Sequence, residues 1–375
     1  MALSLYLHIP YCRSKCPYCD FYSEAVTTPV DIATYVDALL VELTVWRAYM
    51  VDDPRPLSSI FIGGGTPSLL PVSAVERLLA AVSELWPWQA DCEITLEANP
   101  ESVCHDTLSG YRQAGINRLS LGIQSFNTER LQQLGRCHDV TTARQAVALA
   151  RQVGFNQLNL DLIYATPAHT IDAWQRELEE AMAWQPEHLS CYELSADQGR
   201  WALPDEEQQL IFWQLTRQTL SQHGWFPYEV SNFARPGHQC RHNNHYWDFG
   251  DYIGVGAAAH GKWSDGQGGV YRSVNERDTG RYLGRLLGHS GDSVVTLTPI
   301  SRQEAARECL IMGLRTATGL CRHRYAATSG GDLVSQRAAV VEQLVAAGLM
   351  TVTADRITLT ESGLAVANAV LLALM

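Results

Sequence analysis

The chain reads as an α/β protein: a partial (β/α)6 barrel of parallel strands followed by a smaller C-terminal α/β domain of winged-helix type. Three observations predict this. Up to about residue 195, short β-type runs alternate with helix-length stretches, the pattern of a parallel sheet with right-handed crossovers. The unit repeats six times, short of the eight that close a barrel. From Trp201 the rhythm changes, and the last seventy or so residues place helices around one short hairpin.

The expected strands cover residues 3–8, 59–62, 93–97, 118–123, 157–162 and 188–193. Helices are expected between them, for example over 31–49, 72–85, 141–153 and 171–184. A long helix over 205–224 follows, then the unusual segment Cys240-Arg-His-Asn-Asn-His-Tyr-Trp247 and a glycine-rich turn over 254–261. The polar, glycine-interrupted stretch 279–290 reads as a linker. Beyond it, 349–353 and 356–360 pair as a hairpin turning at Ala354-Asp355. The expected domains are 1–200 (barrel), 201–290 (barrel extension) and 291–375 (C-terminal domain).

Composition bounds the function. At 375 residues and 46% hydrophobic the chain buries a sizeable core, yet no apolar run reaches the roughly 20 residues of a membrane span. A formal charge of −12 argues against nucleic acid as a partner, because that binding draws on basic surface to displace counterions. The N-terminus carries no secretory signal, so a cytoplasmic, reducing location is expected.

The strongest chemical signal is Cys12-Arg-Ser-Lys-Cys16-Pro-Tyr-Cys19, directly after the first strand. Thiolates hold iron–sulfur clusters, and three of them on a four-iron cubane leave one iron open to a small molecule. A structural zinc site would want a fourth ligand and usually a second pair, which the neighbourhood lacks. Disulfides fit a reducing location poorly, and the other cysteines are scattered like core thiols. Further polar or glycine-rich residues sit at strand ends: Gly63-Gly64-Gly65-Thr66, Glu97-Ala-Asn-Pro100, Gly122-Ile-Gln124-Ser-Phe, and Asp161. Carboxyl ends line the active site of a parallel barrel. Each alone is weak, and Asp161 reads equally well as a buried structural carboxylate; four in successive units point to one site.

These motifs together resemble the radical S-adenosylmethionine superfamily, and more narrowly the HemW-type heme chaperones, relatives of the oxygen-independent coproporphyrinogen III oxidases. The phrases carrying the resemblance are Leu5-Tyr-Leu-His-Ile-Pro10, Phe61-Ile-Gly-Gly-Gly-Thr-Pro-Ser68, Glu97-Ala-Asn-Pro100, Gly122-Ile-Gln-Ser-Phe126, Asn159-Leu-Asp-Leu-Ile163 and His242-Asn-x-x-Tyr246. The resemblance implies that Cys12, Cys16 and Cys19 hold a 4Fe-4S cluster whose open iron takes the methionine end of S-adenosyl-L-methionine. It implies Gly64, Gly65 and Thr66 at that end and Glu97 at the ribose. Tyr6, Phe21, Gln124, Arg136 and Asp161 match further cofactor-contacting positions.

The oxidase relatives carry a fourth cysteine two residues past the third ligand and a longer N-terminal extension. Here Cys19 is followed by Asp20-Phe21, and the first strand starts within five residues of Met1, which favours the chaperone group. The resemblance makes His242 the heme-iron ligand, with Tyr246 in the same motif; neutral imidazole suits that role. The residues themselves leave His245 and Cys240 as alternative ligands, and Tyr246 and Trp247 either wall a porphyrin or simply pack.

Two departures stand out. The stretch 195–201 replaces a Glu-Pro-Gly-Thr-like segment, so no site residue is carried over there. Ala165-Thr-Pro167 replaces Gly-x-Pro, which is harmless if the backbone keeps negative φ.

The function implied is heme binding and transfer to acceptor apoproteins. The alternative is radical decarboxylation of coproporphyrinogen III; radical modification of tRNA is disfavoured by the acidic balance. Implied partners are heme, heme-accepting apoproteins such as respiratory-chain cytochromes, and a heme- or electron-donor protein. The resemblance also implies a homodimer and leaves room for transient membrane association.

Overall fold

The computed structural model describes residues 2–26, 31–195, 201–266, 268–288 and 296–375. Six strands form the frame: β1 (Leu3–Ile9), β2 (Leu57–Gly64), β3 (Trp88–Ala98), β4 (Arg118–Gln124), β5 (Leu158–Tyr164) and β6 (His188–Glu193). They pair in parallel and in chain order. The crossovers are α1 (Ile32–Tyr49), α2 (Val72–Leu85), α3 (His105–Ala114), α4 (Thr128–Gln133) with α5 (Val140–Gln152), and α6 (Ile171–Ala183). Side-chain oxygens of Asp31, Asn127, Asp139 and Thr170 accept from backbone N–H groups in the first turns of α1, α4, α5 and α6, satisfying donors that a helix start leaves bare.

Each strand has two faces with different chemistry. Leu5, Leu7, Ile60, Ile62, Leu96 and Leu119 lie in the apolar cluster shared with the helices. The alternate positions carry Ser4, Tyr6 and His8 on β1, Ser59 and Phe61 on β2, and Glu93, Thr95 and Glu97 on β3. They continue as Arg118 and Ser120 on β4, Asn159 and Asp161 on β5, and His188 and Ser190 on β6. Parallel sheets usually bury apolar side chains on both faces. Here the inner face is polar, and hydrogen bonds must meet the cost of burying it.

The sheet continues past the six strands. β7 (Asn232–Ala234) runs antiparallel beside β6, with Phe226–Pro227 beyond it. On the opposite edge β8 (Tyr252–Val255) lies parallel to β1, followed by an antiparallel meander of β9 (His260–Ser264), β10 (Val270–Val274) and β11 (Leu297–Ile300). The expected turn over 254–261 is therefore partly strand, and the parallel set numbers seven. The structure also replaces the expected linker over 279–288 with helix (Thr279–Leu287). Asp278 caps that helix, and its Tyr282 is buried with the hydroxyl on Glu42, which outweighs the propensity cost of Gly280 and Gly284. Residues 289 and 290 lie outside the described set, as does 196–200, the core of the departure after β6.

The long helix is α7 (Glu206–Gln222), and Cys240–Trp247 folds into a short one, α8 (Arg241–Trp247). With α9 as Thr279–Leu287, the C-terminal unit runs α10 (Arg302–Leu314), a two-residue strand Leu320–Cys321, α11 (Arg322–Ser329), α12 (Leu333–Gln336), α13 (Ala338–Ala346) and the hairpin Met350–Val352/Arg356–Leu359. Its three strands form one antiparallel sheet, the helix-and-wing order expected. Its core is a separate apolar cluster that includes Leu310, Leu314, Val341 and Ile357, and Phe249 just after α8 belongs to it. Among the described residues no helix is long and apolar enough to cross a membrane.

Candidate functional site

The polar lumen has two ends. At the carboxyl ends of the strands, Tyr11–Cys12 pairs with Glu24–Ala25 and ties off the cysteine loop at its base. Cys12 is buried; Cys16 and Cys19 are partly exposed, joined by a turn from Cys19 N to Cys16 O of 3.1 Å. Burial pushes the Cys19 thiol up, and the nearby Cys16 and Cys12 add to it. Among the described residues no three His, Cys, Asp or Glu side chains close into a metal-ligand set; the thiols are neighbours round a mouth.

β2 delivers the glycine run beneath them. A Cβ on Gly65 would stand 2.7 Å from Tyr11 O and 2.9 Å from Cys12 Sγ, so the backbone comes as close as glycine allows. Gly64, at φ +119°, has the His8 ring under it and donates its N–H to Glu97 Oε2 at 3.0 Å. Thr66 donates to Cys12 Sγ at 3.5 Å. Arg136 crosses the mouth, reaching Cys16 Sγ (3.5 Å), Asn99 Oδ1 (2.6 Å) and Gly122 O (3.1 Å). Burial opposes its charge, but Tyr18, Cys16 and Glu101 outweigh this and raise its pKa.

Glu97 points into the lumen with a pKa pushed up to about 8 by burial, the charge of Asp161 adding to it. Asp161 accepts from Asn159 Nδ2 (2.8 Å) and Ser120 Oγ (3.2 Å). Burial raises its pKa against those bonds. Tyr6 bonds His8 Nδ1 at 2.9 Å, and His8 Nε2 lies 3.0 Å from Tyr22 O. Burial lowers His8 to about 4, so the ring is neutral; the carbonyl assigns the proton to Nε2, and Tyr6 donates to Nδ1. Phe21 is 68% exposed at the rim of the cysteine loop.

Three of the six non-glycine residues with positive φ among the described residues lie in the loops at this end. Gln124 sits at φ +66°, and Ala165 and Ala168 at φ +56°. Each costs roughly 1 kcal/mol or more for a residue with a Cβ. The expectation of negative φ at Ala165 is thus corrected: the position keeps the left-handed conformation a glycine would favour, and the surrounding structure bears the cost.

The opposite end is sealed by α8. Its first amides, Arg241 N and His242 N, donate to the Glu93 carboxylate at 3.1 Å each, and Cys240 Sγ donates to the same group at 3.3 Å. Cys240 is fully buried, its thiol pushed up to about 12 by burial. His242 is 1% exposed. Its Nδ1 lies 2.8 Å from Ser59 Oγ, its Nε2 lies 2.5 Å from the Tyr246 hydroxyl, and its ring stacks on Phe61. Because Ser59 donates onward to Ser4, the network assigns the proton to Nδ1 and leaves Nε2 accepting from Tyr246. Burial keeps the ring neutral, with His245 and Arg118 acting in the same direction. His245 is half-buried; its Nε2 meets Asp251 O at 2.6 Å, with Gly250 packed flat against the ring. Trp247 lies under Arg315, on the side of α8 facing the C-terminal unit.

The structure therefore gathers Cys12, Gly64, Gly65, Thr66, Glu97 and Arg136 at the mouth, with Tyr6 and Asp161 below. His242 and Tyr246 lie at the far end, paired with each other. Sequence reasoning missed Asn99, which also donates to Thr66 at 3.1 Å, and Glu93 and His8. The period-two alternation of β1 and β3 would have found the last two, since His8 follows Tyr6 and Glu93 precedes Glu97 on the lumen face.

A family model described as the Radical SAM superfamily matches residues 6–181, and one described as the HemN C-terminal domain matches 300–366. Fold and thiolate mouth together define a radical S-adenosylmethionine protein. The heme chaperone HemW of Escherichia coli strain K12 is 37% identical over 98% of this chain and 97% of its own length. HemW of Bacillus subtilis strain 168 is 31% identical over 98% and 97%. The chain belongs to this HemW family. The solved structure of coproporphyrinogen III oxidase (HemN) from Escherichia coli matches with a TM-score of 0.83 at 24% identity, covering 100% of this chain and 90% of that one, and so shares its fold.

The superfamily implies a 4Fe-4S cluster and S-adenosylmethionine, and the residues at the mouth fit both. The Cys12 thiol stands against a glycine cradle that any Cβ would fill, with Cys16 and Cys19 on the same loop. A carboxylate with a raised pKa faces the lumen, and the Thr166 hydroxyl in the loop after β5 is buried without a partner. Such groups suit a polar ligand.

Proposed function

We propose that the chain is a heme chaperone, binding heme and passing it to acceptor apoproteins. The observation carrying this reading is the relationship over nearly the whole length to proteins named heme chaperones. The cysteine loop agrees with it: Asp20-Phe21 follows Cys19, with no fourth thiol at that spacing. Cys12, Cys16 and Cys19 would hold the cluster. Gly64, Gly65, Thr66 and Glu97 would hold S-adenosylmethionine, helped by Tyr6, Phe21, Gln124, Arg136 and Asp161. When bound, this pair supplies one-electron chemistry; the chain's own residues orient it and keep water out.

In this reading residues 1–200 form the cofactor barrel, 201–290 its heme-bearing extension and 291–375 the C-terminal domain. Heme is carried at His242 and Tyr246. The present hydrogen bonds set a condition on that role: the Nε2 lone pair that would meet iron is taken by Tyr246, so the hydroxyl must yield and α8 must open before His242 ligates. His245 and Cys240 are the competing ligands. Acceptors would include respiratory-chain cytochromes, heme would come from a donor protein in the cytoplasm, and a homodimer would be the working form.

The test is an anaerobic heme titration of cluster-reconstituted protein, following the Soret band for wild type, His242→Ala, His245→Ala and Cys240→Ser. Saturation near one heme per chain, lost or spectrally altered in a single variant, supports the reading and names the ligand. Absence of stoichiometric binding sinks it, and turnover of coproporphyrinogen III would then install decarboxylation in its place.

A further inference from the structure

Two loops at the mouth hold shapes their residues disfavour, and both lean on one buried carboxylate outside the lumen. After β4 the chain makes a three-residue turn closed by Ser125 N to Ile123 O at 2.9 Å, with Gln124 at φ +66°. That sense of γ-turn is rare and strained. It lays the Gln124 amide against Gly122, beside Arg136. After β5, Ala165 and Ala168 are both left-handed, and His169 follows. Strained backbone of this kind persists only where the surroundings over-determine it.

The shared support is Glu177 of α6, 4% exposed. Its Oε2 accepts from the Ser125 hydroxyl and from Phe126 N (2.9 Å), the two groups immediately after Gln124. Its Oε1 pairs with Arg130 Nη2 at 2.5 Å and lies 3.4 Å from His169 Nε2. One side chain thus fastens the loop after β4 on one oxygen and reaches the loop after β5 on the other. It shares no contact with the thiols.

We infer that Glu177 is a positioning residue for S-adenosylmethionine: from behind the sheet it holds the two strand-end loops, and with them Gln124, in the shape that receives the cofactor. This rests on the cofactor site at the mouth, and the test separates the two. Glu177→Gln keeps an acceptor for Phe126 N but loses the charge that pairs with Arg130. Ser125→Ala removes the bond the hydroxyl donates to Glu177 and the one it accepts from Asn127 N, and leaves the ion pair. Both would be reconstituted anaerobically beside wild type, with iron content, visible absorption and the electron paramagnetic resonance spectrum of the reduced cluster recorded with and without S-adenosylmethionine.

The expected result is about four irons per chain throughout. S-adenosylmethionine should perturb the wild-type spectrum, with the concentration needed raised about tenfold in Glu177→Gln and several-fold in Ser125→Ala, each tenfold step being 1.4 kcal/mol. Wild-type titration midpoints in both variants would overturn the inference. So would loss of the cluster in Glu177→Gln with Ser125→Ala unchanged, which makes the residue a folding element only. A wild-type spectrum indifferent to S-adenosylmethionine would remove the cofactor site itself, and the inference with it.

Discussion

The two ends of this barrel are built from the same strands and solve opposite problems. At the mouth, three thiols, a raised carboxylate and three left-handed non-glycine residues are held in place with polar groups facing inward. At the floor, α8 leaves His242 with both ring nitrogens engaged and its amide on Glu93. At the mouth Cys16 and Cys19 stand partly exposed and the Glu97 carboxyl faces the lumen. At the floor both ring nitrogens of His242 are taken, so a ligand arriving there must displace protein. The mouth is preorganised; the floor must open.

Breaking the mouth should have the largest effect. Cys16→Ala is expected to lose most cluster iron on reconstitution, measured as iron per chain, while the far-ultraviolet dichroism stays that of the wild type. A variant retaining the full complement would show that these thiols are not the ligands.

At the floor, His242→Ala deletes two buried hydrogen bonds and a stacked ring. Denaturant titration without heme should show a loss of roughly 3 kcal/mol. An unchanged midpoint would mean that α8 is not fastened by this residue, and the contrast between the ends would weaken.

A third prediction concerns pH. The Glu97 carboxyl is raised from its usual 4.5 to about 8 in the folded chain by burial, with Asp161 adding to it. The unfolded chain releases that proton first, so the stabilisation is complete below about 4.5 and is lost as pH climbs through about 8. Glu42, raised to about 7 by burial, acts in the same direction. Below about pH 6.5 the histidines that burial keeps neutral, His8 and His242 among them, work against this slope, so the window is pH 7 to 8.5. Without S-adenosylmethionine, stability should fall there by roughly 1.5 kcal/mol, and Glu97→Gln should flatten most of that slope. A slope identical in the variant would assign the effect elsewhere.

Tyr246→Phe is the finest probe. It strands Nε2 of His242 without a donor, at about 1 kcal/mol in the heme-free protein. If that lone pair is the iron ligand, the variant should bind heme at least as tightly as wild type by Soret titration. Weaker binding would give the tyrosine hydroxyl itself a direct role.

The mouth was far more legible in the sequence than the floor. The six parallel strands alternate with helices in a local pattern, and the cysteine spacing and glycine run each lie within a few residues. The floor is assembled from distant pieces: Ser59 and His242 meet across 183 positions, and Cys240 and Glu93 across 147. No periodicity announces such pairs. Tyr252–Val255 was missed as a strand because it is four residues long and carries Gly254, whose place beside β1 only the tertiary structure supplies. Thr279–Leu287 was missed as a helix because two glycines mask a helical face that Tyr282 and Leu286 bury. At Ala165 the sequence had no means of showing that the glycine-like conformation survives the side chain.

One consequence concerns the order in which the molecule takes shape. A helix of seven residues is too short to persist in water alone, and α8 takes its N-terminal acceptor from a strand laid down some 150 residues earlier. Closing so long a loop is slow, and it is rewarded only once β3 has found its neighbours. The motif helix is therefore a late arrival in folding: a chain leaving the ribosome carries the letters of the motif well before it carries a place to seat them.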